Sequence, residues 1–251
     1  MVTSNTMDRG TDALKTIVGP TKQMDIRQTR KGCIQECLGC EAQNEFKYFV
    51  DGNQVAYSLD ESGFCCRLLC PQVYPFKTLI TEAEGSTNEL LTVEREFVCC
   101  PVGACKCCCY QGATMTSGGE MLGSIVEQFW CCVPNFLVTD ENSEALYKVS
   151  PPTCCAGMCI NCCAEGNPCG KGCCKVSLRV YPADQEDTDG DASYIGKILK
   201  QPKSLMTEMF TDANSFLVDY PDSATAAQKG LLMGSAIFFN ATFFEGQEGN
   251  Y

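Results

Sequence analysis

Cys105, Cys107, Cys108 and Cys109 crowd into the six residues 105–110, beside Lys106 and Tyr110, with Cys99 and Cys100 just upstream. Three chemistries suit such a run: thioester acylation, metal ligation, or reduced thiols lining a loop. Stable membrane anchoring takes two signals, because one acyl chain alone binds only marginally. Four adjacent thiols can supply them. A second set, Cys159-x-x-Cys162 with Cys169 and Cys173, has spacing suited to a four-thiolate zinc site. Cys37-x-x-Cys40 with Cys66 and Cys70 is another candidate of that kind. Hard oxygen ligands gather in residues 212–223, where Asp212, Asn214, Asp219 and Asp222 offer side-chain oxygen to calcium. Calcium wants six to eight such ligands. The segment lacks the glycine and the closing glutamate of an EF-hand, so weak affinity is expected, in the upper part of the ~10⁻⁴–10⁻³ M range. The competing reading is a solvated turn before the last helix. The acidic run Asp184, Glu186, Asp187, Asp189 and Asp191 reads as a solvated loop, with an auxiliary calcium site as the alternative.

Composition removes other chemistries. The 251-residue chain has no histidine, which excludes a histidine triad, histidine-ligated zinc and histidine acid–base catalysis. Lys and Arg total 19 against 31 Asp and Glu, a net charge of −12 that repels nucleic-acid phosphates and anionic lipid alike. Nucleic acid is therefore not an expected partner. Attachment to a membrane would need acyl chains, an apolar element or bridging calcium. Residues 1–20 show no apolar signal segment, so a reducing compartment is expected. The 22 cysteines then stay thiols, and many stand as adjacent pairs that bond poorly to each other.

The elements that must position these residues are mostly short strands. Residues 1–20 read as a disordered tail, and residues 21–44 show little periodicity. Glu45–Val50 and Gln54–Leu59 flank Asp51-Gly52-Asn53 and predict a hairpin. Further strands are expected over Lys77–Thr81, Leu90–Val98 (with Leu91, Val93 and Phe97 on one face), Leu122–Trp130, Phe136–Val138 and Ala145–Val149. Lys175–Tyr181, Tyr194–Leu199 and Phe216–Tyr220 complete the set. Many short strands with turn punctuation argue for a sandwich or a barrel. One long helix is expected over residues 224–244, capped by Asp222 or Ser223. Its half from Gly230 to Phe244 is apolar nearly all round, so it is buried in protein or in lipid. A bilayer span needs roughly 20 residues, and this run has 15. Length favours a core helix, in which Gly230 and Gly234 allow strands to approach closely. Residues 246–251 form a short tail.

Several motifs in order resemble those of the phospholipid scramblase family. They are residues 93–99 (VEREFVC) leading into the Cys105–Cys109 cluster, residues 130–136 (WCCVPNF), residues 195–198 (IGKI), residues 210–216 (FTDANSF) and the closing helix ending Phe243-Phe244-Glu245. The likeness runs over roughly residues 22–245. It implies a Tubby-like fold, a closed antiparallel β-barrel of about a dozen strands around an apolar C-terminal helix. It also implies calcium-stimulated, ATP-independent movement of phospholipids between leaflets, and palmitate on the cysteine cluster at the cytoplasmic face of the plasma membrane. Family members keep acidic side chains at the third and twelfth places of the 212–223 segment, where this chain has Asn214 and Ser223. Residues 154–174 carry more cysteine than the family pattern.

Three functions follow as competitors. The first is a palmitoylated, calcium-responsive scramblase acting on membrane phospholipids without covalent catalysis. The second is an acyl-anchored adaptor that binds lipid or protein without moving lipid, with Lys197, Lys200 and Lys203 as the best headgroup contacts. The third is a zinc-stabilised structural protein.

Overall fold

The computed structural model describes residues 9–30, 44–61, 73–131, 133–151, 176–185, 193–201 and 214–244. Twelve strands run in chain order: β1 (Gln23–Arg30), β2 (Asn44–Val50), β3 (Asn53–Asp60), β4 (Phe76–Thr81), β5 (Glu89–Arg95), β6 (Gly112–Ser117), β7 (Glu120–Glu127), β8 (Phe136–Asp140), β9 (Ala145–Ser150), β10 (Val176–Pro182), β11 (Gly196–Gln201) and β12 (Ser215–Asp219). Each pairs antiparallel with the next, and β12 closes on β1 with Gln23 opposite Asp219. Closure leaves no edge strand. The expected closed barrel is therefore the fold.

Alternation decides what faces inward. In β1, Met24, Ile26 and Gln28 are buried while Asp25 and Arg27 face out. In β10, Val176, Leu178 and Val180 point in, and Arg179 points out. The outer wall also carries Lys47, Lys77, Glu94, Lys148 and Lys197. A barrel that crosses a bilayer with its strands needs an outward apolar band. This one places its apolar face inside.

The interior is filled by α2 (Ala226–Phe239), which continues into a π-helical turn over Asn240–Phe244. These 19 residues span about 28 Å at 1.5 Å per residue, enough to thread the barrel. Phe136 meets Phe239 at 5.0 Å and Phe243 at 5.9 Å, both edge to face. Such pairs add about 0.5–1.5 kcal/mol each beyond burial. Gly234 sits where a Cβ would lie 2.9 Å from Met115 Cγ, so the helix can pass β6 only without a side chain there. The terminal apolar segment is thus a core element. Among the described residues no helix is long and apolar enough to cross a membrane.

Four expectations need correction. The helix starts later, with Thr225 as its N-cap, because Thr225 and Gln228 form a reciprocal capping box. The tail expected to be disordered contains α1 (Asp12–Ile17), which buries Leu14 and stoppers the rim where α2 enters. Thr11 ties it down: its amide N–H donates to Ser117 Oγ at 3.0 Å and its hydroxyl donates to Glu89 O at 2.9 Å. β1 lies in the stretch that showed little periodicity. Leu90–Val98 does not continue to Val98: β5 ends at Arg95, and Phe97 is 57% exposed rather than facing the core.

Candidate functional site

In a closed antiparallel ring, successive connections alternate between the two rims. All 22 cysteines fall in connections β1–β2, β3–β4, β5–β6, β7–β8 and β9–β10, every one of which leaves from the same rim. That rim is also where the π-helical turn ends. Cys99, Cys100, Cys105, Cys107, Cys108, Cys109 and Cys131 are within the described residues and are thiols. The proposed zinc sets Cys159, Cys162, Cys169 and Cys173, and Cys37, Cys40, Cys66 and Cys70, lie outside them, as does the acidic run from Glu186 to Asp191.

The β5–β6 connection is held by a buried carboxylate. Glu127, at the end of β7, sits in phase with the inward Ile125 and has no exposed side-chain surface. Its Oε1 accepts from Gly103 N and from Trp130 Nε1, each at 3.1 Å, and its Oε2 accepts from Gln111 N at 3.1 Å. Lys106 Nζ pairs with the same Oε2 at 2.5 Å. Lys106 also donates to the carbonyls of Pro101 and Cys109, at 3.0 and 2.9 Å. Gln111 Nε2 donates to the carbonyls of Val98 and Cys100, at 3.2 and 2.8 Å. Cys105 N reaches Trp130 O at 2.7 Å. Both arms of the loop are therefore clamped from below. The clamp sustains left-handed backbone at Cys105 (φ 56°) and Cys109 (φ 59°), which costs a residue with a Cβ about 1–2 kcal/mol.

This loop sorts its thiols. Cys105, Cys107 and Cys108 are exposed, whereas Cys109 is half-buried. Cys99 Sγ lies 3.6 Å from Cys100 Sγ and 3.8 Å from Cys109 Sγ. Cys109 Sγ is 3.8 Å from Cys108 Sγ. Hydrogen bonding with Cys108, Cys99 and Cys100 pushes the Cys109 thiol up to about 12, and Cys99 raises Cys100. Crowded thiols resist carrying adjacent negative charges. Sequence reading found these cysteines but missed Glu127. The one signal for it was a carboxylate on the inward face of a strand.

A second buried polar group sits beneath the same rim. Arg95 is buried, donates to Tyr74 O from Nε at 3.0 Å and to Thr242 Oγ1 at 3.2 Å, and lies over the Tyr74 and Phe76 rings. It fastens the π-helical turn to the barrel wall.

The calcium candidates do not assemble. Asp212 lies outside the described residues. Asn214 is buried and donates to Asn240 Oδ1 at 3.0 Å. Asp219 is at the far end of β12, paired with Lys197 at 3.0 Å, and Asp222 is exposed beyond it. Five residues of strand separate Asn214 from Asp219 by about 16 Å at ~3.3 Å each. One ion bound at 2.3–2.6 Å cannot touch both. The described members of the set do not fit a single calcium. Lys197 and Lys200 do not form a headgroup pocket either: Lys197 faces out, and Lys200 points in over the Phe244 ring at 4.2 Å. Three positions apart in a strand means opposite faces. Lys203 is outside the described residues.

A closed barrel plugged by its own last helix, with a thiol-rich loop cluster on one rim, defines the class of protein. The chain belongs to the Scramblase family, whose profile matches residues 3–165 and 167–246. Curated relatives include human phospholipid scramblase 1, 25% identical over 213 residues, covering 84% of this chain and 60% of the relative. Bovine phospholipid scramblase 2 is 24% identical over 214 residues, covering 84% and 65%. Human phospholipid scramblase family member 5 is 24% identical over 211 residues, covering 83% and 69%. The chain spans about three fifths of the length of the first of these. No solved structure matches it.

Proposed function

We propose that this protein moves phospholipids between bilayer leaflets without ATP, held at the cytoplasmic face of the plasma membrane by palmitate on its cysteine loop. The observation that carries the reading is membership of the Scramblase family over nearly the whole chain. The position of the thiols supports the anchoring half. The described cysteines lie in connections at one rim, and Cys105, Cys107 and Cys108 are open to an acyl donor. Two acylated thiols suffice for stable attachment. Cys109, half-buried and with a raised pKa, is the poorest nucleophile of the expected four. Anchored this way, the rim with Phe97 and Phe129, which are 57% and 59% exposed, faces the lipid. The calcium response is carried by the family resemblance alone, since Asn214 is committed to the core and Asp219 to Lys197.

The test is reconstitution of the acylated full chain into vesicles with a fluorescent phospholipid in the inner leaflet. Lipid should reach the outer leaflet faster than in protein-free vesicles, and the rate should be measured with calcium and with a chelator. Vesicle binding with no gain in lipid movement would leave the acyl-anchored adaptor instead. A Cys105/Cys107/Cys108→Ser variant should lose hydroxylamine-sensitive acyl labelling and membrane retention together.

A further inference from the structure

We propose that Cys99, Cys100 and Cys109 form a thiolate site for a soft metal ion such as zinc, with Cys108, whose sulfur is 3.8 Å from that of Cys109, as the candidate for the fourth position. The site is distinct from the sets spaced for zinc elsewhere in the sequence, and it does not depend on lipid movement.

The sulfur geometry is the first reason. A tetrahedral zinc with bonds of about 2.3 Å spaces its sulfurs about 3.8 Å apart. The Cys99–Cys100, Cys99–Cys109 and Cys108–Cys109 separations are 3.6, 3.8 and 3.8 Å. The sulfurs of Cys99, Cys100 and Cys109 all lie within 4.8 Å of one another. No large rearrangement is needed to bring three ligands onto one ion.

The scaffold is the second reason. Two ligands come from the first arm of the loop and one from the second. Gln111 Nε2 holds the Cys100 carbonyl and Lys106 Nζ holds the Cys109 carbonyl, so each arm is pinned at a ligand residue. Glu127 ties the middle of the loop, through Gly103, and its end, through Gln111, to the barrel. The Cys109 thiol is aimed by a left-handed backbone, φ 59°, within this braced loop. Ligands fixed in this way lose little freedom on binding. The competing fates are weaker. A Cys99–Cys100 disulfide joins sequence neighbours and is strained. Calcium prefers oxygen, and the one buried carboxylate nearby is taken by Lys106 and three N–H groups. Exposed Cys105 and Cys107 stay outside the trio, which leaves two thiols for acyl chains while the others hold metal.

The full chain, made unacylated, reduced and stripped of metal, is titrated with cadmium while thiolate-to-cadmium charge transfer is read in the ultraviolet. Zinc is then used as competitor. Trp130, the single tryptophan, reports on the loop because it hydrogen-bonds Glu127 and Cys105. The Cys99→Ser/Cys109→Ser variant should bind one equivalent less than the wild type and lose the Trp130 fluorescence response. The Cys105→Ser/Cys107→Ser variant should keep both. Equal stoichiometry and an unchanged Trp130 response in Cys99→Ser/Cys109→Ser would overturn the site and place the metal on other thiols. If that variant misfolds, alkylation mapping of the wild type decides. Zinc should slow modification of Cys99, Cys100 and Cys109 at least tenfold and leave Cys105 unchanged; no protection, or equal protection of all four, would sink the assignment.

Discussion

Replacing Glu127 with glutamine should open the cysteine loop while leaving the barrel closed. The carboxylate accepts four hydrogen bonds, two at each oxygen, from Gly103, Trp130, Gln111 and Lys106. Glutamine keeps the shape but has one acceptor oxygen and one donor NH₂. Whichever way the amide turns, its NH₂ faces two donors, and the Lys106 ammonium, only 14% exposed, loses its counter-charge. Breaking one partner of a buried pair costs about 3–5 kcal/mol. The loss falls on the loop, because the twelve-strand ladder does not use this side chain. At about 1.4 kcal/mol per factor of ten, the loop's opening constant should rise by at least ~100-fold. Amide hydrogen exchange reads this directly, since Gly103 and Gln111 N–H point at the carboxylate. Their protection should fall by about that factor, with strand amides in β1 and β12 unchanged and Trp130 emission shifted to the red. A fall under about tenfold at both amides would refute the idea that this carboxylate holds the loop. Lys106→Met in the Glu127→Gln background should cost less than the two single changes added together, because neither charge is then left buried alone.

Gly234→Val should lower the urea midpoint by an amount equivalent to about 1–3 kcal/mol, since its Cβ would lie 2.9 Å from Met115 Cγ and 3.1 Å from Val93 Cγ2; an unchanged midpoint would mean that α2 does not thread the barrel. Burial raises the pKa of the Tyr48, Tyr147 and Tyr220 hydroxyls, Tyr147 to about 12. The unfolded chain then loses these protons first, near the ordinary value of about 10. Their contribution is complete below that pH and disappears as pH rises toward 12, so tyrosinate absorbance and loss of near-ultraviolet circular dichroism should appear together; tyrosinate forming in a folded barrel near pH 10 would contradict it. Because Cys109 titrates only at about 12, its alkylation should lag that of Cys105 and Cys107 at pH 8 and keep climbing about tenfold per pH unit beyond pH 9; a plateau near pH 9 would show an ordinary thiol.

Elements whose inward residues are apolar were legible. The hairpin around Asp51-Gly52 and strand β10 follow the period-two rule, and α2 follows from a nearly unbroken apolar stretch too short for a bilayer. β1 was obscured because its inward Gln28 is polar, donating to Asn44 on the neighbouring strand β2 at 2.9 Å. β6 was obscured by its small residues, Gly112, Ala113 and Thr114. The Thr225-x-x-Gln228 cap was visible in sequence but stood behind a more conventional Pro-Asp-Ser start. The thiols of the site were visible as residue types. Their convergence was not, because it depends on a carboxylate and an ammonium that lie 21 positions apart and meet only when β6 and β7 pair.

Residue 23 meets residue 219 in the last pairing of the ring. During synthesis, then, the first strand emerges almost two hundred residues before the partner that seals it. Until then the nascent sheet is open along β1, a bare ladder of N–H and C=O groups of the kind that templates aggregation. The helix that fills the centre is made later still, so the seam waits for residues 215–219 and the core for residues 226–244. A truncation after residue 221 would spare every cysteine and β12, and so the seam, while leaving the ring with nothing in its centre.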